Sequence, residues 1–182
     1  MYVIEPKFIT MFTLFFILLF ALHPINVNEI ITSDGGKINF YDTDCYGSDG
    51  TDCDIVVEKY LGERLEWSAK IGGNSWDYVG DVLEVENGFL VLGSTGSYGQ
   101  GNNDVYLTKL DKNGEEMWFR TYGNFFNDYG RTILPLEDTS GYIIKGEEQV
   151  CPTENVSDRC YMKELIIRIA ANGDNLNSSI KE

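Results

Sequence analysis

The feature that most narrows the possible folds is an internal repeat. The segment from Trp67, WSAKIGGNSWDYVGDVLEVENGFLVLGS, overlays the segment from Trp118, WFRTYGNFFNDYGRTILPLEDTSGYIIKG. Gly72 falls on Gly123, Asp77-Tyr78 on Asp128-Tyr129, and Gly88 on Gly141 after a two-residue insertion. The run DVYLTKLDKNGEEMW, from Asp104 to Trp118, lies over the run from Asp54 to Trp67, with Lys109 on Lys59. A third copy, KELIIRIAANG from Lys163, puts Asn172-Gly173 under Asn113-Gly114. A period of 50 to 59 residues implies a supersecondary unit that buries its apolar surface against copies of itself.

Each unit predicts four short strands. In the middle unit these span about 79–85, 89–95, 105–110 and 116–122, separated by Glu86-Asn87-Gly88, a glycine-rich loop and Lys112-Asn113-Gly114. Asn-Gly between strands marks a tight hairpin, because both turn residues must accept positive φ. Phe89-Leu90-Val91-Leu92 is continuously apolar, so the sheet is expected to be covered on both faces. A four-stranded antiparallel unit with this period is the signature of a propeller blade. The expected fold is therefore all-β: tandem four-stranded antiparallel units, about three blades of a β-propeller in an incomplete or open ring, after an N-terminal hydrophobic helix. Residues 1–24 form the signal peptide or anchor, and 25–182 the repeat domain, with units at about 25–66, 67–117 and 118–182.

The pattern W-x4-G-G/N-x3-D-Y, then G-[FY]-[LI]-[VI]-x-G, then D-V-Y-L-x-K-L-D-x-N-G-x3-W resembles a family of secreted prokaryotic β-propeller repeats, often found in large cell-surface proteins. The resemblance covers about residues 31–177 and is specific over the middle unit. The third copy has Arg168 for the lysine and Asn177 for the tryptophan, and the first has Leu61-Gly62-Glu63 for the Asn-Gly turn. The resemblance implies a fold and a location, and no particular activity. Propellers typically use four to eight blades, so three units leave three outcomes open. Chains self-associate to complete a ring, the chain is a shortened relative of a longer surface protein, or three units stack without closing.

The compartment follows from the N-terminus and the cysteines. Residues 8–22, FITMFTLFFILLFAL, carry no charge. As a helix they span roughly 22 Å, short of the hydrocarbon core but matched to a secretory signal, and Pro24 follows. Cleaved signal peptide, uncleaved membrane anchor and buried core helix are the alternatives. The first two place the rest of the chain in a secreted form or on the extracellular face of the membrane. Cys45 and Cys53, and Cys151 and Cys160, form two local pairs with no CxxC, which suits two disulfides better than zinc. Sequons at Asn155 and Asn177 are compatible with export.

Charge and residue types then limit the function. Fourteen basic against twenty-nine acidic residues give a net charge of −15, which excludes a general nucleic-acid binder. The single histidine, His23, lies beside the apolar N-terminal segment, so imidazole chemistry is excluded from the folded part. Bonded cysteines leave no thiol nucleophile, and no G-x-S-x-G occurs. Asp42, Asp44, Asp49, Asp52 and Asp54 crowd one loop and are candidate calcium ligands, against the plainer reading of a solvated acidic turn. Asp77 and Asp128 repeat in register, either as paired carboxylates for acid–base work or as blade-structural groups that bond turn amides. Trp67 and Trp118 are either a sugar-stacking platform or core packing. The Gly-x3-Trp ending also resembles the tryptophan-docking repeats of quinoprotein dehydrogenases. The reading favoured is a non-enzymatic surface module that needs no cofactor other than calcium and binds protein or glycan through its loops. A secreted hydrolase or quinone-dependent propeller enzyme is the alternative.

Overall fold

A computed structural model describes residues 27–43, 53–138, 140–152 and 159–176. They form three consecutive antiparallel sheets, and among the described residues there is no helix. The first sheet holds β1 (Asn28–Ile31), β2 (Lys37–Asp42), β3 (Ile55–Leu61) and β4 (Arg64–Ile71) in chain order. The second holds β5 (Asp77–Val85), β6 (Gly88–Thr95), β7 (Asp104–Leu110) and β8 (Glu116–Tyr122). The third holds β9 (Asp128–Pro135), β10 (Gly141–Val150) and β11 (Tyr161–Ala170). The all-β expectation holds, and the middle-unit strands lie within two residues of their predicted starts and ends. The expected N-terminal helix, with its signal-peptide or anchor reading, lies outside the described residues. So do Cys45, Asp44, Asp49, Asp52, Asn155 and Asn177. Cys151 and Cys160 are bonded to each other, and Cys53 is also in a disulfide.

Period-two alternation explains the unbroken apolar run in β6, whose eight residues are all buried. Phe89 and Val91 face the first sheet and join Ile38, Phe40, Ile55, Val57 and Ile71 in one core. Leu90 and Leu92 face the third sheet and join Ile133, Ile144, Ile167 and Ile169 in another. The middle sheet is thus sandwiched. Close approach needs a gap in the side-chain layer: a Cβ at Gly93 would lie 2.8 Å from Ile55 Cδ1.

Each tryptophan of the repeat closes the stack at the far edge. Trp67, on β4, donates its indole N–H to the Lys112 carbonyl at 2.9 Å and packs 5.6 Å from Phe89. The turn beneath it falls at the expected Asn-Gly, with Gly114 at φ 83° and Asp111 Oδ1 accepting the amides of Asn113 and Glu115. The Gly114 amide, however, donates to the Asp111 carbonyl at 3.2 Å, so the loop is longer than the two residues expected. Trp118 lies over Gly173 in the same way, and Tyr122 donates its hydroxyl to the Gly173 carbonyl at 2.5 Å. The tryptophan of one sheet therefore sits on the turn of the next. Both indoles pack between sheets and do not form an open platform.

The two outward faces of the stack differ from the inner ones position by position. Strand register sets Lys37, Asn39, Tyr41, Glu58 and Tyr60 of the first sheet in the places of Phe89, Val91, Gly93, Thr108 and Leu110. Tyr41 and Tyr60 both donate to Glu58, at 3.3 and 3.0 Å, and Lys37 pairs with Glu29 at 2.8 Å. On the third sheet, Lys145 and Glu164 stand where the second sheet has Leu92 and Val105. The buried lysine position also diverges. Lys59 is 4% exposed and pairs with Asp34 and Glu66, whereas Lys109 Nζ is buried with no hydrogen-bond partner among the described residues, and burial depresses its pKa.

Gly114→Ala should cost about 2–3 kcal/mol, the sum of a left-handed backbone penalty and a methyl group forced against the Trp67 ring. Gly62→Ala, at φ 60° with nothing within 4 Å, should cost only about 1 kcal/mol. Urea unfolding measures both. The excess at Gly114 should vanish in a Trp67→Ala background, and an excess that persists there would place the strain elsewhere.

Candidate binding rim

Four aspartates stand at the edge where each sheet meets the next, and all are buried: Asp54 at 5%, Asp77 at 0%, Asp104 at 2% and Asp128 at 1% exposure. They begin β5, β7 and β9 or immediately precede β3, so the strand ends that follow the repeat period carry them to one rim. A buried carboxylate must find donors, and here the donors are loop amides. Asp77 Oδ2 accepts the Gly73 amide at 2.8 Å and the Ser97 hydroxyl at 2.7 Å. Asp104 Oδ2 accepts the amides of Gln100 and Gly101 at 2.9 and 3.0 Å. Asp128 accepts the Asn124 amide at 2.6 Å and the Asn124 side-chain N–H at 3.2 Å.

The aspartates occur in neighbouring pairs around a glycine. A Cβ at Gly72 would lie 2.8 Å from Asp77 Oδ2 and closer still to Asp54 Oδ1. At Gly123 it would meet Asp128 Oδ2 at 2.8 Å and, again closer, Asp104 Oδ1. This crowding is the physical content of the Gly72–Gly123 match in the repeat. Lys70 neutralises the first pair through Asp54 at 2.6 Å, but Asp77 Oδ1 is buried without a hydrogen-bond partner among the described residues. The residue at the Lys70 position in the second pair is Thr121. Burial, reinforced by the like charges of Asp104 and Glu148, raises the pKa of Asp128 against the lowering effect of its amide bond.

Three loops meet at this rim. Residues 72–76 and 123–127 lead into β5 and β9, and residues 96–103 join β6 to β7. Backbone bonds tie them together, Gly96 N to Trp76 O at 2.8 Å and Asn102 N to Phe126 O at 3.1 Å. Ser75 N also donates to Ser97 Oγ at 3.0 Å. Isolated bridges pair Cys53 with Trp76 and Asn103 with Asn127, the same position in successive sheets. The rim is therefore braced from below by carboxylates and laterally by amides.

Of the expected calcium ligands, two are described. Asp42 Oδ1 accepts the Val79 amide at 2.6 Å, and burial raises its pKa. Asp54 is held by Lys70, and its amide donates to Thr43 Oγ1 at 2.8 Å. Among the described residues no group of three or more His, Cys, Asp or Glu is placed to hold a metal ion. Asp77 and Asp128 are not brought together: each organises its own loop, as the blade-structural alternative expected. A cleft of about 710 Å³ lies elsewhere, on the outward face of the third sheet between Leu134, Ile143, Lys145 and Arg168. The exposed rim residues Tyr98 and Phe125 were not singled out from sequence. Their only sequence signal, an absence of charge across three separate loops, becomes visible once topology sets those loops side by side.

In comparisons with known proteins, no family model and no curated protein matches the chain.

Asp104→Ala should cost about 2–4 kcal/mol, because two loop amides lose their carboxylate acceptor and its own buried site is left empty. Hydrogen exchange should accelerate first at Gln100 and Gly101. Asp128 has a raised folded-state pKa, so its protonated form suits the fold. As pH falls from 7 toward 4, the stability of the wild type should therefore gain on that of Asp128→Asn. A difference that does not move with pH in urea titrations would mean that Asp128 is not the strained carboxylate.

Proposed function

We propose that the chain is a non-enzymatic, exported β-propeller-like module that binds a partner through the rim loops and stacks as an open set of three blades. The observation that carries this reading is the fate of the repeated carboxylates. Asp77, Asp104 and Asp128 are buried and committed to loop amides, which is how a scaffold presents loops and not how a general acid or base is exposed to substrate. The propeller-like arrangement draws support from sequential meander sheets packed face to face, with each tryptophan seated on the turn of the next unit. Export draws support from the Cys151–Cys160 bridge and the bonded Cys53.

The end faces of the stack support its being open. A further blade on the first sheet would have to approach Tyr41, where the second and third sheets have Gly93 and Gly146. A further blade on the third sheet would bury Lys145 and Glu164, where the second sheet buries Leu92 and Val105 and the first Phe40 and Ile55. Polar outer faces are how repeat stacks terminate. On this reading, chains do not complete a ring with one another.

Sedimentation velocity tests the reading. The wild type should run as one monomeric species of about 20.6 kDa or its processed form. Tyr41→Gly with Lys145→Leu and Glu164→Val should make it self-associate, because the end faces then match the inner ones. A wild-type dimer would restore ring closure by two copies.

A further inference from the structure

Residues 72–76, 96–103 and 123–127 together contain eighteen positions, and none is Asp, Glu, Lys, Arg or His. In a chain that is 24% charged, several of the eighteen should carry charge. Glycine, asparagine, glutamine, serine and four aromatic residues stand there instead. Phe125 is 71% exposed and meets Phe126 edge-on at 5.9 Å. Tyr98 is 38% exposed, and its ring is fixed by stacking on Tyr106 at 5.8 Å and by its hydroxyl on the Gly72 carbonyl at 3.1 Å. Asn74, Gln100 and Asn102 are exposed, and their side chains make no hydrogen bond among the described residues.

These groups sort by chemistry. Free amides offer paired donors and acceptors, which suit hydroxyl groups in either role. An exposed ring offers an apolar face with little rotamer entropy to lose. The backbone beneath is already held by Asp77, Asp104 and Asp128, so little ordering remains to oppose binding. We propose that this rim binds an uncharged glycan, with Phe125 and Tyr98 against the apolar faces of the sugar and Asn74, Gln100 and Asn102 on its hydroxyls.

Charge complementarity selects among the alternatives. A uronic or sulfated glycan would meet no cation in these loops and would be repelled by a chain at −15. A cationic partner would be drawn to the acidic surfaces and not to an uncharged strip. A protein interface of ordinary kind has a contiguous apolar centre, whereas here amides separate the rings. The inference rests on the reading of the chain as a rim-presenting module, and it adds the ligand class.

The test is glycan binding by the full chain in mild detergent, using immobilised neutral polysaccharides, uronic-acid polysaccharides and extracted envelope protein as separate probes. Neutral polysaccharide should bind, with affinity unchanged between low and high salt because no ion pair contributes. Phe125→Ala should weaken it about tenfold, as loss of a central aromatic anchor does. Asn102→Ala should weaken it too, while Tyr60→Ala, on the first sheet's outward face, should leave it unchanged. Since Phe125 is exposed, an unchanged melting temperature in Phe125→Ala separates lost binding from lost fold. Salt-sensitive binding to the acidic polymer alone would overturn the proposal, as would neutral binding that survives Phe125→Ala. Capture of envelope protein alone, blocked by Phe125→Ala, would overturn the glycan class and leave the module reading standing. A folded chain that binds none of the three probes would overturn both.

Discussion

Burial of the middle sheet on both faces is the constraint on which the rest of the molecule depends. All eight residues of β6 are buried, and its alternate side chains feed two separate cores. At roughly 1.5–3 kcal/mol for each buried leucine, valine or phenylalanine, the strand cannot be left uncovered on either side. Neither neighbouring sheet is optional. The demand for close approach explains the glycine at position 93, and the demand for lateral closure explains the tryptophans. On the outward faces, Tyr41 stands where the second and third sheets have Gly93 and Gly146, and Lys145 where the second sheet has Leu92.

A second constraint grows from the first. Sheets that stack face to face bring their strand ends together, and strand ends carry unpaired amides. The chain resolves this with aspartates that are almost wholly buried, each accepting the N–H groups of a loop above it. The arrangement is not free of strain. Asp77 keeps one oxygen without a donor among the described residues, and Asp128 sits beside Asp104 with no lysine corresponding to Lys70. Buried carboxylates in such places hold loops rigid at some cost in stability, and a rigid loop rim is suited to recognition.

Much of this was legible in the amino-acid order because it is periodic. Two-residue alternation, Asn-Gly turns and the spacing of Trp67 and Trp118 are local signals, and they located the strands of the middle sheet to within two residues. The burial of both sheet faces was legible too, since an unbroken Phe-Leu-Val-Leu run has no wet side. Less legible were the partners of the repeated groups. Lys59 and Lys109 occupy the same repeat position, yet the first is paired with two carboxylates and the second has no hydrogen-bond partner among the described residues. Which acidic side chain comes within reach depends on the turn of a strand two places away.

What the sequence determined by itself is the repeat, the all-β character and the placement of turns, because these follow from the chemistry of neighbours along the chain. Only the tertiary structure decided which face of each sheet is inward, why Gly72 and Gly123 admit no side chain, and that three uncharged loops distant in sequence share one rim. Those facts arise from contacts between sheets, and the two partners of such a contact lie tens of residues apart with no local pattern to join them.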